Sequence, residues 1–398
     1  MVEFTPIAQL EKAKSLSGSI IFLDYRAFDL VTAHRKLGRE VKQQVWRILK
    51  KKLDTLSDDR LVEQVRMVRR CKAAIKEKLA AAGLDNVIRQ TLIEYGSCLS
   101  AWGEGVELGL FRHVRLRHLS VDGAPVSLDE LALLLQDDNS GCQTGVYRDR
   151  AGGVILWHTE EDPSGWGERF DRLRIASFQA GEGDTVETLS AFIYPDLLPG
   201  SAYSWRGDNF VQAVDTLHPE PNPQVNSMLA NIATWITWRL GPTVEPDDVI
   251  RALQPFHDGY AVTIVQRQGS SVHARKIEFA AGWSQTEELD DEPHRFLFQV
   301  NVISNKHAPI IETFRLGRRA LFEARLARTN RAMAWLKASP DACYGIFRLM
   351  AFRLGGDFSY SNSDVKSYFL NKVSEQGMEI WLDAGPALKR DQPMVIKS

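Results

Sequence analysis

The chain is predicted to be an α+β protein with sheets inside and helices outside, on three observations. A block of helical apolar spacing comes first. A run of short alternating strands then follows a small polar loop. After that, helices and strands recur without the regular alternation of a parallel α/β fold. Neither G-x-G-x-x-G nor G-x-x-x-x-G-K-[ST] occurs, which argues against a nucleotide-phosphate cradle.

The first block runs from about Ala27 to Trp102. Val41, Val45, Ile48, Leu49 and Leu53 recur at the spacing of one buried helical stripe, and Leu61, Val65, Val68, Ile75 and Leu79 form a second. Ser57-Asp58-Asp59 separates the two and caps the second helix. Ser127-Leu128-Asp129-Glu130 opens a short helix, Leu131 to Gln136, by the same logic of a cap followed by acids. After Cys142 the pattern changes. Gln143–Tyr147, Val154–His158, Leu173–Phe178, Glu187–Tyr194 and Phe210–Leu217 read as strands between Gly, Pro and Asp turns, and Arg148–Gly153 reads as the turn of a hairpin. Helices are expected at Gln224–Leu240, Pro246–Leu253 and Thr313–Lys337. Further strands are expected at Tyr260–Gln266, His273–Phe279, Phe296–Ile303 and Met378–Leu382.

The 398 residues are 44% hydrophobic and 25% charged with a net charge of −2, so no global charge draws the chain to nucleic acid or to an anionic membrane. Between Arg35 and Lys78 there are 15 Lys and Arg against 6 Asp and Glu, but they fall between the apolar positions and read as a solvated outer face. No apolar run approaches the roughly 20 residues of a membrane span. Ile20-Ile21-Phe22-Leu23 is too short for a signal core, and a cytoplasmic location is expected. Cys71, Cys98, Cys142 and Cys343 are widely spaced without a CxxC pair, as expected of thiols in a reducing compartment. The histidines form no metal pattern: His113 and His118 are five apart and no HExxH occurs. Neither a metal nor an organic cofactor is expected.

One bond concentrates the chemistry. Asp137-Asp138-Asn139-Ser140 leads to Gly141-Cys142, and Cys142 opens a strand. If the thiol attacks the Gly141 carbonyl, an N-to-S shift gives a thioester and water releases it, leaving Cys142 as a new N-terminus. Glycine leaves the carbonyl open and tolerates strained backbone. The new α-amino group, with an ordinary pKa of roughly 8, can accept the thiol proton, so one residue carries nucleophile and base.

Gly141-Cys142-Gln143-Thr144-Gly145-Val146, followed by Gly153-Val154-Ile155-Leu156-Trp157-His158-Thr159-Glu160-Glu161, resembles the isopenicillin-N acyltransferase-like family. That family is a branch of the N-terminal-nucleophile cysteine hydrolases related to the choloylglycine hydrolases. Tyr194-Pro195-Asp196-Leu197-Leu198-Pro199-Gly200 is similar to the family's Tyr-x-x-Leu-Leu-Pro-Gly stretch. Val214-Asp215-Thr216-Leu217-His218-Pro219 is similar to its Val-Asn-x-Leu-x-Pro, and Phe298-Gln299-Val300-Asn301 to its His-Thr-Asn-like strand end. The resemblance implies a four-layer αββα sandwich and self-cleavage between Gly141 and Cys142. The products would be a helix-rich chain of residues 1–141 and a catalytic chain of residues 142–398, held together by an apolar interface. The activity implied is hydrolysis of a small linear amide, or acyl transfer from a thioester to an amine, through a Cys142 thioester. The alternatives are a thioester-dependent N-acyltransferase of specialised metabolism and a catalytically eroded binding protein with the same fold. Further oligomerisation is left open.

In that scheme Cys142 is the nucleophile, Glu161 (or Glu160) orients its amine, and Asn301 with backbone donors holds the oxyanion. Arg315 or Arg318 supports the site electrostatically. On the residues themselves, His158 is expected to orient a loop or cap a strand, and Tyr203 and Trp205, just after Leu198-Pro199-Gly200, are the candidates to line an acyl pocket. The chain departs from the family pattern at Thr159 and Glu161, where Asn and Asp are usual, and at Asp215, where Asn is usual. A carboxylate aimed at an oxyanion repels it, and loss of one such donor costs about 2.7–4 kcal/mol of transition-state stabilisation. Glu160 and Glu161, adjacent on a strand, face opposite ways, so at most one of them meets the site.

Overall fold

In the computed structural model the described residues are 20–136, 141–161, 173–181, 186–220, 228–254, 259–280, 282–304, 307–308, 365–384 and 394–397, with scattered positions between 320 and 346. Strand β1 (Ile20–Asp24) is followed by helices α1 (Leu30–Thr55), α2 (Asp58–Ala80), α3 (Asn86–Val106) and α4 (Val114–His118). A two-stranded ribbon, β2 (Ser120–Val121) with β3 (Ala124–Pro125), precedes α5 (Leu128–Leu135). Next come β4 (Gly141–Arg148), β5 (Val154–Glu161), β6 (Leu173–Ala180), β7 (Glu187–Phe192), β8 (Tyr203–Arg206) and β9 (Phe210–Leu217). Helices α6 (Ala230–Leu240) and α7 (Pro246–Leu253) lead to β10 (Gly259–Gln268), β11 (Ser271–Ala280), β12 (Trp283–Glu288) and β13 (Phe296–Val300). The last strands are β14 (Val365–Ser374), β15 (Gly377–Ala384) and β16 (Met394–Lys397).

The caps are those the sequence predicts. The Ser57 hydroxyl accepts the Arg60 N–H at the start of α2, and Ser127 and Glu130 form a reciprocal capping box at α5. Helix α6 starts later than predicted, at Ala230. Leu229 is extended (φ −62°, ψ 129°), and residues 221–227 lie outside the described set. Most of the helix expected over Thr313–Lys337, together with Arg315, Arg318 and Cys343, also lies outside it. The described positions 320, 323, 324, 326, 327 and 330 are helical.

Two sheets stack face to face. One has eight strands in the order β1-β6-β7-β8-β9-β10-β11-β12, and the other has six in the order β13-β4-β5-β14-β15-β16. Between them Val146, Val154, Leu156 and Phe369 of the smaller sheet meet Ile175, Phe192, Tyr203, Val211 and Val265 of the larger one in a single apolar cluster. Strand alternation sends the intervening residues of the larger sheet to its other face. There Phe178, Phe210, Val214, Val262 and Ile264 pack under Leu37, Leu92, Trp235 and Trp238 of α1, α3 and α6. The described architecture is therefore helix on sheet on sheet, α+β as the sequence predicts.

Residues before Gly141 are part of this body. Strand β1 pairs in parallel with β6, Ile20 opposite Leu173, and forms one edge of the eight-stranded sheet. Helices α1 and α3 cross closely at two glycines. A β-carbon on Gly38 would sit 2.3 Å from the Trp102 carbonyl oxygen, and one on Gly105 would sit 2.1 Å from the Arg35 carbonyl oxygen. On the far face of the six-stranded sheet, Tyr147, Ile155, Trp157 and Leu370 are buried too. The Trp157 ring there occupies the space a Gly145 side chain would need. Among the described residues no helix is long and apolar enough to cross a membrane.

Candidate active site

The site grows from the register of the β4–β5 hairpin. Arg148 and Val154 close the ladder around a tight turn. There the Asp149 carboxylate accepts the Ala151 and Gly153 N–H groups, and Gly152 takes the left-handed conformation (φ 84°). Counting back from that turn fixes every pair: Thr144 lies opposite His158 and Cys142 opposite Glu160. With a period of two, Cys142, Thr144, His158 and Glu160 share the face turned to the larger sheet. All four are buried.

Polar side chains in this position need partners, and they find them in one chain of hydrogen bonds. The Thr144 hydroxyl donates to Asp215 Oδ2 at 2.5 Å, and Thr144 Oγ1 itself lies 2.7 Å from His158 Nδ1. A hydroxyl has one proton, so with Thr144 donating to Asp215, Nδ1 carries the hydrogen and donates to Thr144. His158 Nε2 is 2.5 Å from Glu160 Oε1, so one proton lies between them, and the Tyr194 hydroxyl donates to Glu160 Oε2. Cys142 Sγ, a ring nitrogen of His158 and a carboxylate oxygen of Glu160 all lie within 4.8 Å of one another.

Asn301 enters from the end of β13, beside β4. Its Oδ1 accepts the Cys142 amide N–H at 3.1 Å, and its Nδ2 lies 3.5 Å from Cys142 Sγ. Nδ2 also donates to the Thr216 carbonyl at 2.9 Å, which ties the side chain to β9. The segment carrying Asn301 is itself braced. The Ser304 N–H donates to Glu278 Oε1 at 2.6 Å, and the buried Lys276 ammonium donates to Ser304 Oγ at 2.9 Å.

The residues expected at the site divide plainly. Cys142, His158, Glu160, Asp215 and Asn301 converge. Glu161 pairs in the backbone with Gly141 and Val365, one register step from the residue opposite the cysteine; its side chain lies outside the described residues. Asp215 accepts from Thr144. Tyr203 lies edge-on to His158 (centroids 5.8 Å), stacks on Phe369 at 4.5 Å and shares a 2.7 Å hydrogen bond with Ser367. Burial drives its phenol pKa above the ordinary value, with the Ser367 bond opposing. Trp205, half-buried, stacks on Phe369 at 6.0 Å. Both rings belong to the packing between the sheets. The sequence pattern assigns no role to Thr144 or Tyr194. Thr144 is two residues from Cys142 on the same strand face, a signal that was there to read, whereas Tyr194 comes to Glu160 only through the fold.

Chemically, the arrangement fixes a thiol by its own amide and sulfur and places a carboxylate–imidazole pair sharing one proton beside it. It backs the imidazole with a hydroxyl and a second carboxylate. Cys71 and Cys98, buried in the helix layer, share none of this, and burial raises the Cys98 thiol pKa far above its ordinary value. No protein-family model matches the chain, and no curated protein matches it.

Proposed function

We propose that the chain is the precursor of a cysteine N-terminal-nucleophile amidohydrolase or acyltransferase that cuts itself between Gly141 and Cys142. The observation that carries this reading is the double hold of Asn301 on Cys142, through the amide N–H and the sulfur, at the first residues of an inner strand. In self-cleavage Sγ bonds to the Gly141 carbonyl carbon, the Gly141–Cys142 C–N bond breaks, and the thiol proton ends on the departing nitrogen. Water then hydrolyses the thioester to a Gly141 carboxylate and a Cys142 thiol. The uncut chain has no α-amine at Cys142, so this step needs another base, and Glu160 with its shared His158 proton supplies one. After the cut, Asn301 Oδ1 holds the new α-amine where it held the amide, and that amine activates the thiol towards a small linear amide.

The contact of Asp215 with Thr144 supports an altered site over an eroded one, because its carboxylate belongs to the relay and not to an oxyanion. Burial of Trp157 and Leu370 on the far face of the smaller sheet supports a fourth, helical layer and so the αββα sandwich of this class. The test is the denatured intact mass of purified, chelator-stripped and reduced protein beside Cys142→Ala. Two fragments meeting at Gly141/Cys142 in the wild type and one chain in the variant are expected. A single 44.9 kDa species in both overturns the reading.

A further inference from the structure

The same hairpin face presents three ligands that a soft divalent cation would take together. Cys142 Sγ, a His158 nitrogen and a Glu160 oxygen are mutually within 4.8 Å and buried. Zinc bonds of roughly 2.0–2.3 Å in tetrahedral geometry put ligand atoms about 3.5 Å apart. Seating the ion needs the 2.5 Å contact between His158 Nε2 and Glu160 Oε1 to open by about 1 Å, with the sulfur brought to the same spacing from within 4.8 Å.

The surroundings are those of a metal site. Nδ1 of His158 is tied to Thr144 and through it to Asp215, which leaves Nε2 as the ligand and supplies the outer-shell support that metal-bound imidazoles have. Tyr194 holds the second oxygen of Glu160 in the same way. One thiolate and one carboxylate balance a charge of two. The sulfur favours zinc or cobalt over magnesium or calcium.

We propose that Cys142, His158 and Glu160 form a three-ligand site for a single thiophilic divalent cation, zinc foremost, with the fourth position left to a bound water, and that the loaded site silences the Cys142 thiol. Binding expels the thiol proton and the proton between Nε2 and Oε1 into the buffer. The metal site stands by itself; the silencing rests on the self-cleavage reading.

The experiment adds CoCl2 to chelator-stripped, reduced full-length protein and follows absorption, with intact mass measured in parallel. One equivalent is expected to give a thiolate-to-cobalt charge-transfer band and the strong visible bands of a low-coordinate ion, both erased by one equivalent of ZnCl2. Cys142→Ser, nearly isosteric and checked for folding by circular dichroism, should lose the charge-transfer band, and Cys98→Ser should keep it. His158→Ala and Glu160→Gln should each weaken cobalt binding by about tenfold or more. No charge-transfer band in the wild type, or a band that survives Cys142→Ser, overturns the site. With zinc saturating, the mass should stay that of the whole chain, and chelator should release cleavage. Cleavage at an unchanged rate under zinc overturns the silencing. A band together with a chain that stays whole under every condition leaves the metal site in place and removes the self-cleavage reading and its silencing.

Discussion

Glu160 lies directly across the β4–β5 ladder from Cys142, and no other carboxylate-bearing residue of the hairpin shares that register pair. The residue next to it, Glu161, is opposite Gly141. One step along a strand therefore decides which carboxylate meets the thiol.

Replacing Glu160 by Gln keeps its shape and removes its capacity to take a proton. The expected result is self-cleavage slowed by about a hundredfold or more, at the same bond, because positioned general bases contribute about 10²–10⁴ to rate. A time course of intact mass after purification checks it, and an unchanged rate would remove Glu160 from the step.

Thr144→Val retains volume and deletes the hydroxyl joining Asp215 to His158. Two buried polar groups lose a partner, at about 1–3 kcal/mol each. A lower denaturation midpoint and slower cleavage are expected together, with Thr144→Ser restoring both. Stability lost without a change in rate would reduce the relay to a structural role.

The α1–α3 crossing predicts a result far from the site. Gly38→Ala and Gly105→Ala each drive a methyl group into an opposing carbonyl oxygen, where neither helix backbone can yield without moving its partner. Each is expected to cost about 1–3 kcal/mol, read as a drop in the urea midpoint. Gly96→Ala, on α3 with nothing within 4 Å of the new methyl, is the matched helical control and should hold or raise stability.

His34 sets an acid limit. It is fully buried on α1, its Nδ1 donates to the Leu30 carbonyl at 2.7 Å, and its ring stacks on Phe178 at 5.1 Å. Burial lowers its pKa from 6.5 to about 4. Between those values the unfolded chain binds the extra proton, so stability increases with pH across the window and is lost as pH falls from 6.5 towards 4. The contribution is about 3 kcal/mol. Denaturant titrations at pH 7 and pH 4.5 should differ by less in His34→Gln than in the wild type; an equal difference would assign the acid sensitivity elsewhere.

Local signals in the sequence carried much of this fold. Ser57 and Ser127 mark their helices because a cap is a property of four consecutive residues, and Phe210–Leu217 and Pro246–Leu253 fall where periodicity and flanking turns place them. Strands β1, β8 and β12 are not expected from the sequence, nor are the ribbon β2–β3, the interior strand β14 and the edge strand β16. The first two are short, and the third is a polar edge strand whose burial pattern carries no alternation. Within the site, Cys142 was legible from Gly141 and the hairpin turn. Asn301 and Glu160 are named through the family resemblance, with Glu161 ahead of Glu160, and His158 as a strand cap. Their contacts are not legible, since His158 and Glu160 depend on ladder register and Asn301 arrives from 159 positions away. Histidine spacing carries no sign of the Cys142, His158 and Glu160 grouping for the same reason. Ligands on neighbouring strands leave no fixed interval in sequence.

The pairing of β1 with β6, and of α1 and α3 with the strands beneath them, binds together chain segments on both sides of Gly141. Before a cut they find each other as parts of one molecule. Afterwards, unfolding would set two polypeptides adrift, and reassembly would become a bimolecular search that slows with dilution. A matured protein of this build would therefore live on the height of its unfolding barrier. Its durability would be a half-life, and heat would end it irreversibly.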